Sequence, residues 1–454
     1  MLNVEGISLQ HSKLIIGHSI LFQIIQLLSV YIVLVGTALF IAGKPTMKKV
    51  CSLALISSLL WTACQKSSGT SSNNTNSDSA TVTVVNGYGS GTYKIGDTVH
   101  IWSNAIPDSY VFDQWTGYNS LLQNSGEWHN EFVMPAQNVT ITATQKSYSG
   151  YTLKYEKIKG VSILKNVYSY FPANQKGVVF LLHGSGGSAL NLVTNFEWIQ
   201  MIKDLVASGY GIIVTESEEV SLNTDLNSDG KLNWGATPVD STSNRDYGNI
   251  KALRDTFYTR KSISTSIPLF SIGMSNGGAF SSSLSWLYSF KSGIAYCAQG
   301  YKVIFNTSTI PFQFCMAKYD NQPEVGTAGN ADALSYSQSL TGRGVCSKYF
   351  VNDRSPVYPG RFARRSDISI TTSTALFNEL KNNNWLDSKN YLKATSDSLA
   401  PILLAHASLY PTYNGLNAAQ QYYVNGQIDN MYAAHQFYSD LDKTTIKFLD
   451  SRCQ

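Results

Sequence analysis

The stretch SIGMSNGGAF, residues 271 to 280, sets Ser275 between Gly273 and Gly277, directly after the apolar run Ile267 to Ile272. A serine in a G-x-S-x-G turn between a strand and a helix can attack a carbonyl carbon, because flanking glycines let the chain bend without strand and helix colliding. An ordinary turn is the rival reading. A nucleophilic serine also needs a base to take its proton and an acid to hold that base. The chain order for this turn is Ser, then Asp or Glu, then His. Asp320 follows the apolar run Phe312 to Met316 through the short segment AKYD, with Glu324 and Asp332 as rivals. Only His406 and His435 come later. His435 lies in the loop-like YAAHQFYSD ahead of the amphipathic KTTIKFLD, whereas His406 sits in the apolar PILLAHASLYP, where a lone histidine is expected to pack in a core. Ser275, Asp320 and His435 are therefore the expected catalytic residues, and the chemistry is double displacement through an acyl-enzyme.

Two further stretches carry polar chemistry. HGSGGS, His183 to Ser188, lacks the Gly-Lys-Ser/Thr of a phosphate loop and the glycine order of a dinucleotide loop. It suits an oxyanion loop, which needs only N–H groups free to point at one spot; Ser185 and Asn276 are the expected donors, and His183 is expected to pin the turn. DLNSDGKLNW places Asp225, Asn227 and Asp229 at alternate positions with Gly230 next, the first half of a calcium loop, although Ala236 stands where a bidentate glutamate belongs. A structural calcium and a bare Asp/Asn/Gly turn are the two readings. The hydrolytic chemistry itself requires no metal or organic cofactor.

The elements that must position these residues are legible as runs. GVVFLLHG (177–184), GYGIIVTES (209–217), IPLFSIGMS (267–275) and PFQFCMAKYD (311–320) have the continuous apolar character of strands buried on both faces. Helix-length segments at about 193–207, 245–258 and 277–290 separate them. This predicts a mostly parallel α/β sheet with its ligand site beyond the carboxyl ends of the strands. Upstream the texture is different: TVTVV (81–85), TVHIW (98–102), EFVMP (131–135) and VTITA (139–143) alternate with period two between turn residues and predict a small all-β domain over 80–148. Trp102 and Trp115 are expected in its core, with an exposed carbohydrate platform as the alternative.

At 454 residues and 43% hydrophobic content the chain supports more than one core, and a net charge of +4 with no long basic run downstream of the N-terminal region argues against a nucleic-acid partner. Ile20 to Ile41 is long enough to span a bilayer, and Met47 to Cys64 has the charged, apolar and small-residue order of an export signal. Either residues 1–46 hold a transmembrane segment or translation starts at Met47. In both cases the folded part is expected outside the cytoplasm, after a Ser/Asn-rich tether at 65–79. Of the remaining cysteines, Cys346 and Cys453 lie in polar surroundings and are the expected bridge; Cys297 and Cys315 read as buried thiols.

Three resemblances follow. Residues 47–64 resemble a bacterial lipoprotein signal, which implies lipidation at Cys64 and a membrane anchor at the outer membrane or cell surface; a cleaved signal without lipid, giving a secreted protein, and an uncleaved anchor are the alternatives. Residues 80–147, with GSGTYKIGDTVHI, FDQWTG and MPAQNVTITA, resemble a bacterial cell-surface repeat domain, which implies a spacer or adhesive module. Residues 149–454 resemble the α/β-hydrolase superfamily, within it secreted esterases of the feruloyl esterase and polyhydroxybutyrate depolymerase type, through Leu182 to Ser188, Gly273 to Gly278 and NRDYGNIKALRD at 244–255. The resemblance implies an ester hydrolase, and the expected tethering outside the cytoplasm points to an extracellular polymer, an acylated polysaccharide or a polyester, as its substrate. The interval from Asp320 to His435 is longer than the family's, so a cap is expected at about 330–420, its aromatics Trp385, Tyr391, Tyr410 and Tyr413 packing it or lining a cleft. A serine peptidase of the same fold and an inactive surface-binding scaffold are the competing functions.

Overall fold

The computed structural model describes residues 78–453. The apolar span, the signal segment with Cys64 and nearly all of the tether lie outside the described residues. Among the described residues no helix is long and apolar enough to cross a membrane.

The N-terminal part is all β. β1 (Ser79–Val85), β2 (Gly87–Tyr88), β3 (Gly91–Lys94), β4 (Thr98–Ser103), β5 (Tyr110–Gly117), β6 (His129–Val133) and β7 (Val139–Ser147) make a four-stranded sheet, β3-β1-β7-β5, and a three-stranded sheet, β2-β4-β6. Alternate residues Val82, Val84, Val99, Ile101, Phe132, Val139 and Ile141 share one core with Trp102 and Trp115. Trp115 is fully enclosed and donates its indole N–H to the Glu127 carbonyl at 2.9 Å, so neither tryptophan forms an exposed platform. Sequence reading recovered the alternating strands but took FDQWTG only as a motif; it is β5.

The second part opens with the hairpin β8 (Lys154–Lys159) and β9 (Leu164–Tyr170) and then alternates strand and helix. In order come β10 (Gly177–Leu182), α1 (Ala189–Thr194), α2 (Phe196–Ala207), β11 (Tyr210–Thr215), α3 (Glu218–Leu222), α4 (Arg245–Thr259) and β12 (Leu269–Met274). These are followed by α5 (Asn276–Leu287), β13 (Ser292–Tyr296), α6 (Lys302–Thr307), β14 (Phe312–Ala317), α7 (Gly326–Gly342) and β15 (Ser347–Asn352). The eight strands form one sheet, β15-β14-β13-β12-β10-β11-β9-β8, parallel from β10 to β15 with the antiparallel hairpin at one edge. This is an α/β-hydrolase-like architecture. Helices begin where side chains can satisfy their free N–H groups: Asn195 accepts from Glu197 and Trp198, and Asn244 from Asp246. Two clusters cover the sheet, one around Trp198, Met201, Leu205 and Val214, the other around Trp234, Tyr247, Leu253, Phe280 and Leu284. Each such buried side chain contributes roughly 1.5–3 kcal/mol.

The helical insertion starts later than expected. Residues 326–352 are α7 and β15, which complete the sheet, so the segment set at about 330–420 is corrected to 353–434. The two read alike in sequence because an exposed helix and an edge strand carry no more hydrophobic signal than a lid does. The insertion holds a 3-10 turn at Arg361–Arg364 and then α8 (Ile370–Asn382), α9 (Ser396–Ala405), α10 (Pro411–Asn414) and α11 (Ala418–Tyr432). It has its own core, built on Phe362, Leu376, Leu399, Tyr410, Tyr413, Val424 and Ile428. The chain closes with α12 (Asp442–Ser451) packed on α2. Cys346 and Cys453 are bridged, with Cα atoms 5.7 Å apart, and Cys297 and Cys315 are buried thiols.

Candidate active site

β12 delivers Ser275 into a backbone conformation, φ 56° and ψ −126°, that a side-chain-bearing residue adopts only when its surroundings enforce it. The enforcement is steric and local. A Cβ on Gly273 would fall on the Gly277 carbonyl, and one on Gly277 would fall on the carbonyls of Leu182 and His183. The Ser275 N–H donates to the Tyr296 carbonyl at 2.8 Å, fixing the turn to β13.

Asp320 lies just past β14, buried, and His435 lies past α11, whose last turn ends on Ala433 in the left-handed conformation. The Tyr319 N–H donates to the Ala433 carbonyl at 2.9 Å, which ties the two loops together. The imidazole bridges the other two groups: Nδ1 is 2.7 Å from Asp320 Oδ2, and Nε2 is 2.9 Å from Ser275 Oγ. The remaining Asp320 oxygen accepts from the Gln322 N–H at 3.0 Å. A carboxylate on Nδ1 sets the tautomer in which Nε2 accepts the serine proton. Beneath this row the Cys297 thiol contacts the Gln436 carbonyl at 3.4 Å, and its sulfur, Asp320 and His435 lie within 4.8 Å of one another. Burial first, and the Asp320 charge second, push that thiol well above its ordinary pKa, which favours its protonated form beneath the row.

The rivals fall away from the row. Glu324 pairs with Lys231 at 2.8 Å, and Asp332 is exposed on α7. His406 was expected in a core; it is exposed at the end of α9, because the apolar face of that helix turns Leu399 and Leu403 inward instead.

The HGSGGS loop follows β10, the neighbour of β12 in the register Leu182 with Gly273. Gly187 N–H closes a turn on the Gly184 carbonyl at 3.0 Å, with Gly186 at φ 69°. That bond leaves the Ser185 N–H unused by the turn. Asn276 opens α5, so its N–H has no acceptor within the helix. Ser185, Asn276, Ser275 and His435 all line one open cavity of about 1110 Å³. His183 is buried: Nδ1–H donates to the Gly184 carbonyl at 2.7 Å and Nε2 accepts from the Ser217 N–H at 3.0 Å. Burial lowers its pKa to about 4, so it is a neutral brace.

Sequence reasoning picked out DLNSDGKLNW only as a calcium loop or an Asp/Asn turn and missed that its last residue holds Asn276. The Asn276 Oδ1 accepts from the Trp234 N–H at 2.7 Å, and the Trp234 indole donates to the His183 carbonyl at 2.9 Å. No spacing rule joins residues 234 and 276; only the fold does. Asp225 accepts from Ser228 and Gly230 N–H groups at 2.7 Å each, and Asn227 and Asn233 turn their amide nitrogens toward Asp229 Oδ2 at 3.1 and 2.9 Å. These contacts fold the loop that leads to Trp234. From the insertion, Tyr422 alone reaches the cavity; Tyr410 and Tyr413 are in the insertion's core, Trp385 donates to the Tyr410 hydroxyl, and the Tyr391 hydroxyl meets His100.

Residues 68–148 match the family model described as the Divergent InlB B-repeat domain, and the match concerns that segment. A search of curated protein sequences finds no match. Among solved structures, similar ones include a ferulic acid esterase, 11% identical over 44% of this chain and 89% of that one with a TM-score of 0.34. Carboxyl esterase 2 from the mycorrhizal fungus Tuber melanosporum is 15% identical over 46% and 78%, with a TM-score of 0.31. An alpha-beta serine hydrolase homologue from Coxiella burnetii is 14% identical over 45% and 88%, with a TM-score of 0.33. These likenesses are distant, and the N-terminal segment is similar to a repeat family while the remainder carries the hydrolase-like sheet.

Proposed function

We propose that this chain is a serine hydrolase whose preferred reaction is hydrolysis of carboxylic esters. One observation carries the reading: His435 joins Ser275 and Asp320 in a single row of hydrogen bonds on the wall of the cavity. Ser275 Oγ attacks the ester carbonyl as His435 Nε2 takes its proton, and Asp320 holds the resulting imidazolium. The N–H groups of Ser185 and Asn276 receive the oxyanion; a preorganised donor of this kind is worth about 3 kcal/mol. The tetrahedral species collapses as His435 returns the proton to the departing alcohol oxygen. Water then attacks the acyl-enzyme by the same route, and the acid leaves. No metal or organic cofactor enters these steps; a calcium ion on Asp225, Asn227 and Asp229 would act only by bracing the loop that carries Trp234.

The substrate class follows from the cavity and the flanking segments. The opening is wide and mixed: neutral polar Asn191, Asn195 and Gln299 stand with charged Asp229, Lys231 and Glu324 and apolar Leu192, Leu232 and Met274, beside Tyr422. That width, together with the export-type and repeat-like segments ahead of the sheet, favours a bulky substrate outside the cell, an acylated polysaccharide or a polyester. Anchoring through Cys64 would hold the enzyme at the outer membrane or cell surface, with the repeat-like module next to it.

Assay of the chain against short p-nitrophenyl esters and peptide anilides, with Ser275→Ala as control, tests this. Ester turnover abolished by the substitution is the expected result. Turnover that survives it would remove the nucleophile, a preference for anilides would make the enzyme a peptidase, and no turnover of either class would favour a binding role.

A further inference from the structure

The segment that carries His435 is held from both sides. Toward the sheet, Phe437 stacks on Trp198 at 3.7 Å, the Tyr438 hydroxyl donates to the Met316 carbonyl at 3.0 Å, and Ser439 donates its N–H and hydroxyl to Glu197. On the other side the partners belong to the β-module. His129 Nδ1 is 2.7 Å from Asp440 Oδ2, five residues past His435. Glu127, buried, accepts the Thr444 N–H at 2.6 Å and the Lys443 N–H at 3.3 Å, both at the start of α12. Asn124 donates to the Thr444 hydroxyl at 2.9 Å. The module is seated by further contacts: Trp102 stacks on Tyr358 at 4.4 Å, and the Arg364 guanidinium lies 3.7 Å above the Trp128 ring while its Nη1 pairs with Glu197 at 2.8 Å.

A spacer would not be wired this way. An aspartate five residues from the histidine and the free N–H groups of the following helix are fixed points of the one loop whose placement decides whether Nε2 faces Ser275. Both are held by residues that lie more than 300 positions earlier in the chain. We propose that Glu127 and His129 are positioning residues for His435, so that the repeat-like module is a working part of the catalytic unit. This rests on reading His435 as the general base.

The test uses the full chain with Glu127→Gln and His129→Leu, His129→Gln as the conservative exchange, and Lys94→Ala on an exposed face of the module as control. The downfield proton resonance of the hydrogen bond between His435 and Asp320, assigned with His435→Ala, reports the loop without any substrate. The first two variants are expected to shift or broaden it. Small misplacements of reacting groups are costly, so kcat should fall about 10-fold with KM within about twofold. His129→Gln should restore most of both, and Lys94→Ala should change neither. Unaltered resonance and kcat in folded Glu127→Gln would overturn the proposal; that near-isosteric exchange decides the matter if His129→Leu fails to fold. A moved resonance in a chain that hydrolyses no ester would leave the positioning intact and remove the esterase reading, whereas ester turnover indifferent to both variants would do the reverse.

Discussion

The turn at Ser275 and the loop at His435 solve the same problem by opposite means. The serine is placed by its immediate neighbours: Gly273 and Gly277 permit a bend whose carbonyls leave no room for a side chain, and one strand and one helix complete it. The histidine is placed by residues far away in the chain, Trp198, Glu197, Met316 and the module's His129 and Glu127. Local steric constraint needs few residue types and leaves a mark in the sequence. Placement by long-range pairing leaves almost none.

Four measurements would break or sharpen this contrast. The largest effect belongs to the carboxylate that orients the imidazole: Asp320→Asn should keep the fold and lower kcat by about 10⁴-fold, because Nδ1 would no longer be held in the productive tautomer. Gly277→Ala attacks the turn. Its Cβ has no space between Leu182 and His183, and a chemical denaturation series should show a loss of about 3 kcal/mol or more with activity lost in step. Should Gly277→Ala fold and work normally, the turn is not under the constraint described. Trp198→Leu attacks the loop: losing the stack on Phe437 should cost about 1 kcal/mol beyond the lost burial and lower kcat several-fold, with KM little changed.

The smallest effect is electrostatic. Burial raises the Glu127 carboxyl from its ordinary value to about 7, against the opposing hydrogen bonds from Thr444 and Lys443. An acid whose folded pKa is raised stabilises the fold fully below its unfolded pKa and loses that contribution as pH rises through the folded value. The melting temperature of the wild type should therefore sag between about pH 4.5 and about pH 7. Glu127→Gln should make that fall shallower, with Asp246, raised by burial to about 6, still contributing; an unchanged curve would show that the Glu127 carboxyl is solvated.

The same contrast explains what could be read in advance. Ser275, Asp320 and His435 were recoverable because strand-end position and chain order constrain them, and the buried strands β10, β11, β12 and β14 because continuous Val, Ile, Leu and Phe runs suit a sheet covered on both faces. β13, short and glycine-containing, and the half-exposed β15 lacked that mark, and passing over β15 and the helix before it set the insertion too early. Trp234, Tyr422, Glu127 and Glu197 could not be found at all: each earns its place through a partner that only the folded chain supplies.

The bridge between Cys346 and Cys453 has a consequence for durability. It closes a covalent ring, 107 residues in separation, that contains the helical insertion, Tyr422 and His435. A protease that nicked an exposed stretch within that ring would leave both fragments joined, with the imidazole still tethered to the sheet edge. Under the proposed placement outside the cell, parting the two pieces would take a reductant or a further cut.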